Sequence, residues 1–302
     1  MRSNHIIKNK DIINGYQKMS TSTVSICSIV RDCQKNLKRN IQKIEKLRSC
    51  FLNSEVVIFE NDSKDRTVEI LENWNKNSPN ILFKSEKFLT KTIPDNAEGG
   101  NPYYSKHRIE RMSFYRNKYM EILNNNLFKR DYVIIIDLDI ADFTIQGIAN
   151  SFGVNQEWSC ITSNGTSLSR TLKKQYHDTY ALLEKGYASF PIDETTIKNN
   201  RKIFSFLKKG MPLFAVDSAF GGLAIYDWNF LKGKYYSCIK NDDERVQVLC
   251  EHVSLNRQLE GNIFINPEMG VKYRSVTLSF ILDQLIKYWK EAFKKSQSGK
   301  SN

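Results

Sequence analysis

Several patterns that define whole classes of protein are missing from this sequence. Its 302 residues contain no stretch of about 18 uninterrupted apolar residues, so no membrane-spanning helix is expected. The first 20 residues are polar and rich in Lys and Asn, and without an apolar segment they are not expected to be a secretory signal. The six cysteines form no Cys-x-x-Cys pair and no zinc-binding spacing, which predicts free thiols in a reducing cytoplasm.

Acidic residues are outnumbered, because 33 Asp and Glu stand against 45 Lys and Arg and leave a formal charge of +12. The positive excess is concentrated in residues 1–50 and 272–302, so we expect an anionic partner. Basic and aromatic residues are not interleaved as they are in grooves that bind nucleic acid. A phosphorylated small molecule or an anionic membrane surface is therefore the expected partner, and nucleic acid is not.

Apolar runs and helical spacings alternate along the first half of the chain. Strands are predicted at residues 24–30, 56–59, 81–83 and 133–136, and a helical spacing follows each of the first three. Ser63 and Ser105 are the expected caps of the second and third of these helices. The alternation predicts an α/β fold, in which helices cover both faces of a mostly parallel sheet.

The second half of the chain is less regular. Strands are predicted at residues 158–164, 221–226 and 263–265, and the apolar spacing from Tyr176 to Leu183 predicts a helix. We found no internal repeat and no low-complexity linker. The predicted organisation is a polar N-terminal tail at residues 1–20, one domain at residues 21–272, and a distinct C-terminal segment at residues 273–302.

The C-terminal segment has the pattern of a basic amphipathic helix. One helical stripe carries Leu278, Leu282, Leu285, Ile286, Trp289 and Phe293, and the flanks carry Lys287, Lys290, Lys294 and Lys295. Such a helix can lie on an anionic membrane surface. The alternative is a last helix that packs on the domain and leaves its lysines in water.

The most informative stretch is an apolar run, residues 133–136, that leads directly into Asp137 and Asp139. Two residues apart on a strand, the two side chains point the same way, with Cα atoms roughly 6.6 Å apart. Paired carboxylates of this kind suit a hard divalent cation such as Mg²⁺ or Mn²⁺. The alternative is a strand that simply ends in solvated acids.

Polar side chains also follow the first two predicted strands. Arg31 comes directly after the first strand, and Glu60 and Asp62 come after the second. Ligands of open parallel sheets bind beyond the carboxyl ends of the strands, so the three strand ends are expected to converge on one crevice.

The chain resembles a family in several short segments. In order, Phe59-Glu-Asn-Asp-Ser-Lys-Asp-Arg-Thr67, Arg116-Asn117 and Ile136-Asp-Leu-Asp139 resemble the GT-A-fold glycosyltransferases that use nucleotide sugars. Further along, Ser163-Asn-Gly165, Tyr176-His-Asp-Thr-Tyr-Ala181, Asp217-Ser-Ala-Phe-Gly-Gly222 and Cys250-Glu-His252 are similar to bacterial capsule and lipopolysaccharide glycosyltransferases. A weaker similarity links the chain to fungal capsule-associated mannosyltransferases. The resemblance covers roughly residues 22–270.

This resemblance implies a Rossmann-like GT-A sheet and the metal-dependent transfer of a hexose from a UDP- or GDP-linked sugar. The implied acceptor is a cell-surface polysaccharide, a lipopolysaccharide or a glycolipid, including lipid-linked glycans. The implied site of action is the cytoplasm, with peripheral contact at the inner face of the membrane. The resemblance assigns Mn²⁺ or Mg²⁺ to Asp137, Asp139 and His252, and the nucleotide sugar to Arg31, Glu60, Asp62, Arg116, Asp137 and Asp178.

An inverting transfer needs a carboxylate that removes the proton of the acceptor hydroxyl. Asp217 is the first candidate for this base and Glu251 the second, whereas Asp178 is assigned to sugar hydroxyls. In a retaining enzyme Asp217 would instead orient the acceptor or the donor. The sequence has no Glu-Asp pair where inverting members often carry the base, so the stereochemistry stays open.

Two other functions use similar residues. A sugar-nucleotide nucleotidyltransferase also combines a parallel sheet, acids and a metal, but the first strand is not followed by a Gly-rich, Lys- or Arg-containing signature. A non-catalytic protein that binds membrane or nucleic acid through its basic ends would not need Asp137.

Overall fold

The computed structural model describes residues 2–169, 172–186 and 191–274 and four further positions, 282, 286, 287 and 289. Its helices are α1 (Arg2–Ser20), α2 (Gln34–Arg48), α3 (Thr67–Asn77), α4 (Lys106–Asn125), α5 (Ile145–Gly153), α6 (Glu194–Ile203), α7 (Trp228–Leu231) and α8 (Glu251–Asn256), with 3-10 turns at Pro102–Tyr104 and Phe204–Phe206. Its strands are β1 (Thr23–Val30), β2 (Asn53–Asn61), β3 (Ile81–Glu86), β4 (Tyr132–Ile136), β5 (Asp142–Phe143), β6 (Cys160–Leu168), β7 (Lys174–Tyr176), β8 (Leu183–Glu184), β9 (Phe214–Ser218), β10 (Leu223–Asp227) and β11 (Ile263–Lys272).

All of these strands belong to one mixed sheet, whose main path runs β3-β2-β1-β4-β10-β6-β11-β9-β8. The first four strands along this path, β3, β2, β1 and β4, are parallel to one another. β10 enters antiparallel between β4 and β6, and β6 pairs in parallel with β11. The predicted α/β class, with a largely parallel sheet flanked by helices, is confirmed, and the regular parallel part coincides with the half of the sequence that alternates regularly.

The central strands β1, β2, β4 and β10 are buried on both faces, which explains their continuous apolar runs. Because successive side chains alternate across a strand, Ile26 joins the core beneath α2, α3 and α5, whereas Cys27 joins the core beneath α4 and α8. β1 pairs with β2 on one side and with β4 on the other. The chain therefore reverses its direction along the sheet at the β1–β4 boundary, which is where open α/β sheets bind ligands.

The N-terminal residues form a helix rather than the polar tail that the sequence predicts. α1 crosses α5 so closely that a Cβ at Gly15 would lie 1.7 Å from the carbonyl oxygen of Ala149. A Cβ at Gly153 of α5 would likewise lie 1.8 Å from the carbonyl oxygen of Asp11. Glycine at both positions permits this crossing, and α1 covers an edge of the core through the buried Met19.

Three local predictions meet different outcomes. Ser105 caps α4 as expected, because its hydroxyl accepts a hydrogen bond from the backbone N–H of Arg108. Ser63 does not cap α3, which begins four residues later at Thr67. The helix predicted from Tyr176 to Leu183 is wrong, since Tyr176 ends β7, Leu183 begins β8, and the residues between them form a loop.

Most of the predicted C-terminal amphipathic helix lies outside the described residues. Positions 282, 286, 287 and 289 are helical, and Leu282, Ile286 and Trp289 are exposed. Leu278, Leu285, Phe293 and the lysines at 290, 294 and 295 fall on undescribed positions. None of the helices that the structure describes is long and apolar enough to cross a membrane.

Candidate active site

A cavity of about 590 Å³ opens beyond the carboxyl ends of β1 and β4. Both halves of the chain contribute to its walls, from the loop after β1 to the first turn of α8. It brings together most of the residues that the sequence singles out: Arg31, Arg116, Asp137, Asp139, Asp178, Glu251 and His252. The polar residues after β1 and β4 therefore converge as the sequence predicts, whereas Glu60 and Asp62, which follow the second predicted strand, do not line the cavity.

The two aspartates of the Asp-x-Asp segment lie just past the end of β4. Asp137 directly follows the strand, and its backbone N–H donates to the carbonyl oxygen of Gly222 at 3.0 Å. Asp139 is in the turn that follows, and α2 fixes this turn because Asn36 and Asn40 donate to the carbonyl oxygens of Asp139 and Leu138 at 2.6 and 2.9 Å. The turn, and not a continuing strand, therefore sets the direction of the second carboxylate.

The pair carries more negative charge than its surroundings neutralise. Burial raises the pKa of both carboxyl groups, and for Asp137 the neighbouring carboxylates Asp139, Asp178 and Glu251 raise it further. Arg116 acts in the opposite direction, with its Nη2 3.7 Å from Oδ1 of Asp137. A divalent cation would supply the missing positive charge, so the oxygen-rich donor set fits Mg²⁺ or Mn²⁺.

Arg116, on α4, is almost completely buried in the floor of the cavity. Its Nε donates to Oε1 of Glu251 at 3.0 Å, and its guanidinium lies 5.3 Å from the centre of the Phe220 ring. Its Nη1 has no hydrogen-bond partner within the described ranges. The side chain is thus held in place by Glu251 and Phe220 and keeps one N–H group free to donate to a bound anion.

Glu251 and His252 stand at the start of α8. Although burial by itself raises the pKa of Glu251, the Arg116 charge lowers it to about 2. Burial, reinforced by Arg116, lowers the pKa of His252 well below its ordinary value, so the imidazole is neutral. That ring stacks on Phe220 with centroids 3.8 Å apart. Neither ring nitrogen has a hydrogen-bond partner among the residues that the structure describes.

A neutral imidazole with an unpartnered nitrogen is the form that binds metal ions. In the part of the chain described by the structure, however, no three His, Cys, Asp or Glu side chains are grouped closely enough to hold one. The binding of one metal ion by Asp137, Asp139 and His252 together therefore stays a prediction.

Asp178 is held in the loop between β7 and β8 on the other side of the cavity. Its Oδ2 accepts a hydrogen bond from the backbone N–H of Gly221 at 3.2 Å. Burial raises its pKa to about 6 against this hydrogen bond, and Glu251 contributes to the rise. A carboxylate with a pKa near neutrality is suited to accept a proton.

Three predicted site residues, Glu60, Asp62 and Asp217, are not among the residues that line the cavity. Glu60 accepts hydrogen bonds from the Ser63 backbone and the Ser85 hydroxyl, and Asp62 accepts from the backbone N–H groups of Phe88 and Leu89. Both acids therefore hold loops in place. Asp62 also has a positive φ of 55°, a conformation that Asp adopts in turns.

Asp217 is directed away from the cavity by the alternation of β9. Its carboxylate pairs with Lys185 at 3.4 Å and accepts from the backbone N–H of Gly186 at 2.9 Å. Gly221 and Gly222, which follow Asp217 in the sequence, have a packing role: a Cβ at Gly221 would lie 2.3 Å from the carbonyl oxygen of Ser163. It is Phe220, next to this pair, that reaches the cavity.

One wall of the cavity contains none of the site residues that the sequence predicts. This wall contains Tyr104, Arg108, Thr179, Tyr180 and Arg201. Thr179 and Tyr180 belong to the Tyr176–Ala181 segment that resembles the family, whereas Tyr104, Arg108 and Arg201 come from the 3-10 turn before α4, from α4 and from α6 and match no motif. Only an expectation about which loops meet at the switch point would have found them.

No protein-family model matches the chain, and no curated protein matches it. Among solved structures, the mannosyltransferase PcManGT from Pyrobaculum calidifontis, in complex with GDP-Man and Mn²⁺, is 11% identical with a TM-score of 0.45; the match covers 91% of this chain and 68% of that one. S. aureus TarS 1-349 in complex with UDP-GlcNAc is 14% identical with a TM-score of 0.41, over 84% of this chain and 60% of that one.

GalNAc-T7 with UDP, GalNAc and Mn²⁺ is 12% identical with a TM-score of 0.42, over 88% of this chain and 48% of that one. The chain thus spans 60% and 48% of the lengths of the TarS and GalNAc-T7 chains. At these identities and TM-scores the similarity assigns neither an activity nor a ligand to this chain.

Proposed function

We propose that this protein is a metal-dependent glycosyltransferase that uses a nucleoside-diphosphate sugar. One observation carries the proposal: Asp137 and Asp139 lie at the switch point of the sheet, in the same cavity as Arg31 and Arg116. Paired acids that bind a cation, together with arginines for the phosphates, are the groups that a diphosphate leaving group requires. The order of these residues in the sequence is the order that the GT-A resemblance implies.

Asp137 and Asp139 would hold Mn²⁺ or Mg²⁺, which would neutralise the negative charge that develops on the leaving diphosphate. Arg116 stays charged at any working pH and has an N–H group available for the same oxygens. Arg31 lies at the end of β1, where its Nη1 donates to the carbonyl oxygen of Thr90 at 3.3 Å. Arg31 also lines the cavity, and we place the nucleotide next to it.

Among the carboxylates of the cavity we assign the proton-accepting role to Asp178, if the reaction is inverting. Glu251 is a poor base because Arg116 holds its pKa near 2, and its oxygen is already hydrogen-bonded. Asp217 faces Lys185 outside the cavity. Asp178 combines access to the cavity with a pKa of about 6, close to the pH at which a general base is most effective.

The finer assignments rest on the sequence resemblance, on charge and on composition. A hexose donor linked to UDP or GDP, and an acceptor in a cell-surface polysaccharide, lipopolysaccharide or glycolipid, belong to the proposal through the sequence resemblance. The formal charge of +12, concentrated at the two ends, supports work next to an anionic membrane surface in the cytoplasm. The six cysteines, all free thiols, are compatible with a reducing compartment.

The proposal is tested by measuring nucleotide release from a panel of UDP- and GDP-linked hexoses, with EDTA and after addition of Mn²⁺. The wild-type protein should release nucleotide only with the metal. Asp137→Asn and Asp139→Asn should each abolish this release, whereas Asp242→Asn, an exposed acid paired with Lys240, should not. Nucleotide release that is equally fast in EDTA, or in Asp137→Asn, would overturn the proposal.

A further inference from the structure

One wall of the cavity is formed by residues that have no role in the proposed binding of the donor. We define this wall as the arginine–tyrosine wall, formed by Tyr104, Arg108, Thr179, Tyr180 and Arg201. We propose that it binds an anionic acceptor, a sugar that carries a carboxylate or a phosphate group. The inference rests on the proposed glycosyltransferase function, because it assigns the acceptor side of the same cavity.

Position along the sheet separates this wall from the nucleotide end. Arg31 follows β1 and the metal-binding acids follow β4, whereas Thr179 and Tyr180 follow β7, which pairs with β6 beyond β10. The acids therefore lie between the two ends of the cavity. A donor that spans from Arg31 to the acids leaves the arginine–tyrosine wall for the second substrate.

Neither arginine has a carboxylate of the described residues within ion-pair distance, although Arg108 is among the charges that lower the pKa of Glu251. Nε of Arg108 and Nε of Arg201 have no hydrogen-bond partner among residues 2–169, 172–186 and 191–274, and Arg201 forms no ion pair there. Glu194, the acid of the same helix, pairs instead with Lys198 and Arg245 at 3.0 and 3.4 Å. Arginines match carboxylate and phosphate with two parallel hydrogen bonds, so an anion with this geometry would satisfy them.

The rest of the wall suits a sugar ring. The rings of Tyr104 and Tyr180 lie 4.6 Å apart, and the Tyr180 hydroxyl donates to the carbonyl oxygen of Val248 at 2.6 Å, which fixes its orientation. Thr179 is 3% exposed, and its hydroxyl oxygen has no partner in the described part of the chain. Aromatic faces with one unpartnered hydroxyl and two unpartnered guanidinium Nε groups form a surface for a polar ring with an attached anion.

α6 presents Arg201 to the cavity by its regular spacing. Ile197, one turn earlier on the same face, is 2% exposed and also lines the cavity. Lys202 is the next residue, is exposed and lies outside the cavity walls. Arg201→Gln and Lys202→Gln therefore remove the same charge from the same helical turn, but only the first removes it from the cavity.

The test is a binding measurement by ligand-observed NMR on the full chain without metal. The probes are methyl β-glucoside, methyl β-glucuronide and glucose 6-phosphate. The wild type should bind the carboxylate probe, the phosphate probe or both more tightly than the neutral glycoside. Arg201→Gln should weaken that binding roughly 10- to 100-fold, the effect of losing a hydrogen bond to a charged group. Lys202→Gln should change it less than twofold.

The preferred probe distinguishes the source of the anion, a uronic acid or a sugar phosphate. Equal binding of charged and neutral probes by the wild type would overturn the proposal, as would equal losses in Arg201→Gln and Lys202→Gln. Metal-dependent nucleotide release, measured in parallel, reports on the proposed function and involves neither residue. A protein that binds the anionic probes through Arg201 but releases no nucleotide would refute the proposed function and leave the anion site standing.

Discussion

The buried ion pair between Arg116 and Glu251 should dominate the stability of the cavity floor. The two side chains are only 5% and 4% exposed, and Nε of Arg116 lies 3.0 Å from Oε1 of Glu251. Glu251→Gln keeps the shape of the side chain and removes its charge, so Arg116 remains buried and, among the described residues, keeps only Asp137 within ion-pair distance, at 3.7 Å. Removing one partner of a buried pair typically costs about 3–5 kcal/mol, because the other charge is left uncompensated.

The pKa of Glu251 gives the same magnitude independently. Its fall from 4.5 to about 2, which occurs because Arg116 outweighs burial, corresponds to roughly 3 kcal/mol of stabilisation. Since the pKa is lowered in the folded state, this contribution is complete above pH 4.5 and is lost as the pH falls toward 2. The variant lacks the titrating group, so the difference between wild type and variant should shrink over this interval.

Urea unfolding followed by circular dichroism, at about pH 7 and about pH 3, measures both effects. At the higher pH we expect Glu251→Gln to lower the free energy of unfolding by about 3–5 kcal/mol. Glu69→Gln, which removes a carboxylate from the exposed pair with Arg66, should leave the unfolding midpoint unchanged. An unchanged midpoint in Glu251→Gln, or a difference from wild type that is equal at both pH values, would refute the reasoning.

Two further predictions concern the loop that carries the glycines and the choice of base. Gly221→Ala should lower the free energy of unfolding by at least about 2 kcal/mol, because φ is +69° and a Cβ would lie 2.3 Å from the Ser163 carbonyl oxygen; unaltered urea unfolding would contradict this. Asp178→Asn should slow sugar transfer roughly 100- to 10,000-fold in a coupled nucleotide-release assay with acceptor. An equal loss in Asp217→Asn, with Asp178→Asn active, would return the role to Asp217.

The sequence predicts the regular half of the fold well, for a physical reason. Where strands are buried on both faces, β-branched residues form short continuous runs, and polar residues appear only after the strand ends. That pattern located β1, β2 and β4 and placed Arg31 and Asp137 at one edge of the sheet. It also gave the α/β class, which depends only on the order of strands and helices.

The rest of the site depends on contacts between distant residues. From Tyr176 to Leu183 the apolar spacing fits a helix, but Tyr176 fills the core and Tyr180 packs on Tyr104. Asp217 was the first candidate for the base from its sequence alone. The alternation of side chains along β9 decides which way its carboxylate faces. Arg108 and Arg201 are 93 residues apart in number and meet only because α4 and α6 border the same cavity.

The central claim is that Asp137 and Asp139 hold a metal ion that binds a nucleoside diphosphate. The most direct measurement is isothermal titration calorimetry of UDP and GDP into the wild type and Asp137→Asn, each with Mn²⁺ and with EDTA. We expect one of the two nucleotides to bind to the wild type with Mn²⁺, and to bind at least tenfold more weakly in EDTA or to the variant. Binding of equal strength in all four conditions, or no binding of either nucleotide to the wild type with Mn²⁺, would contradict the claim.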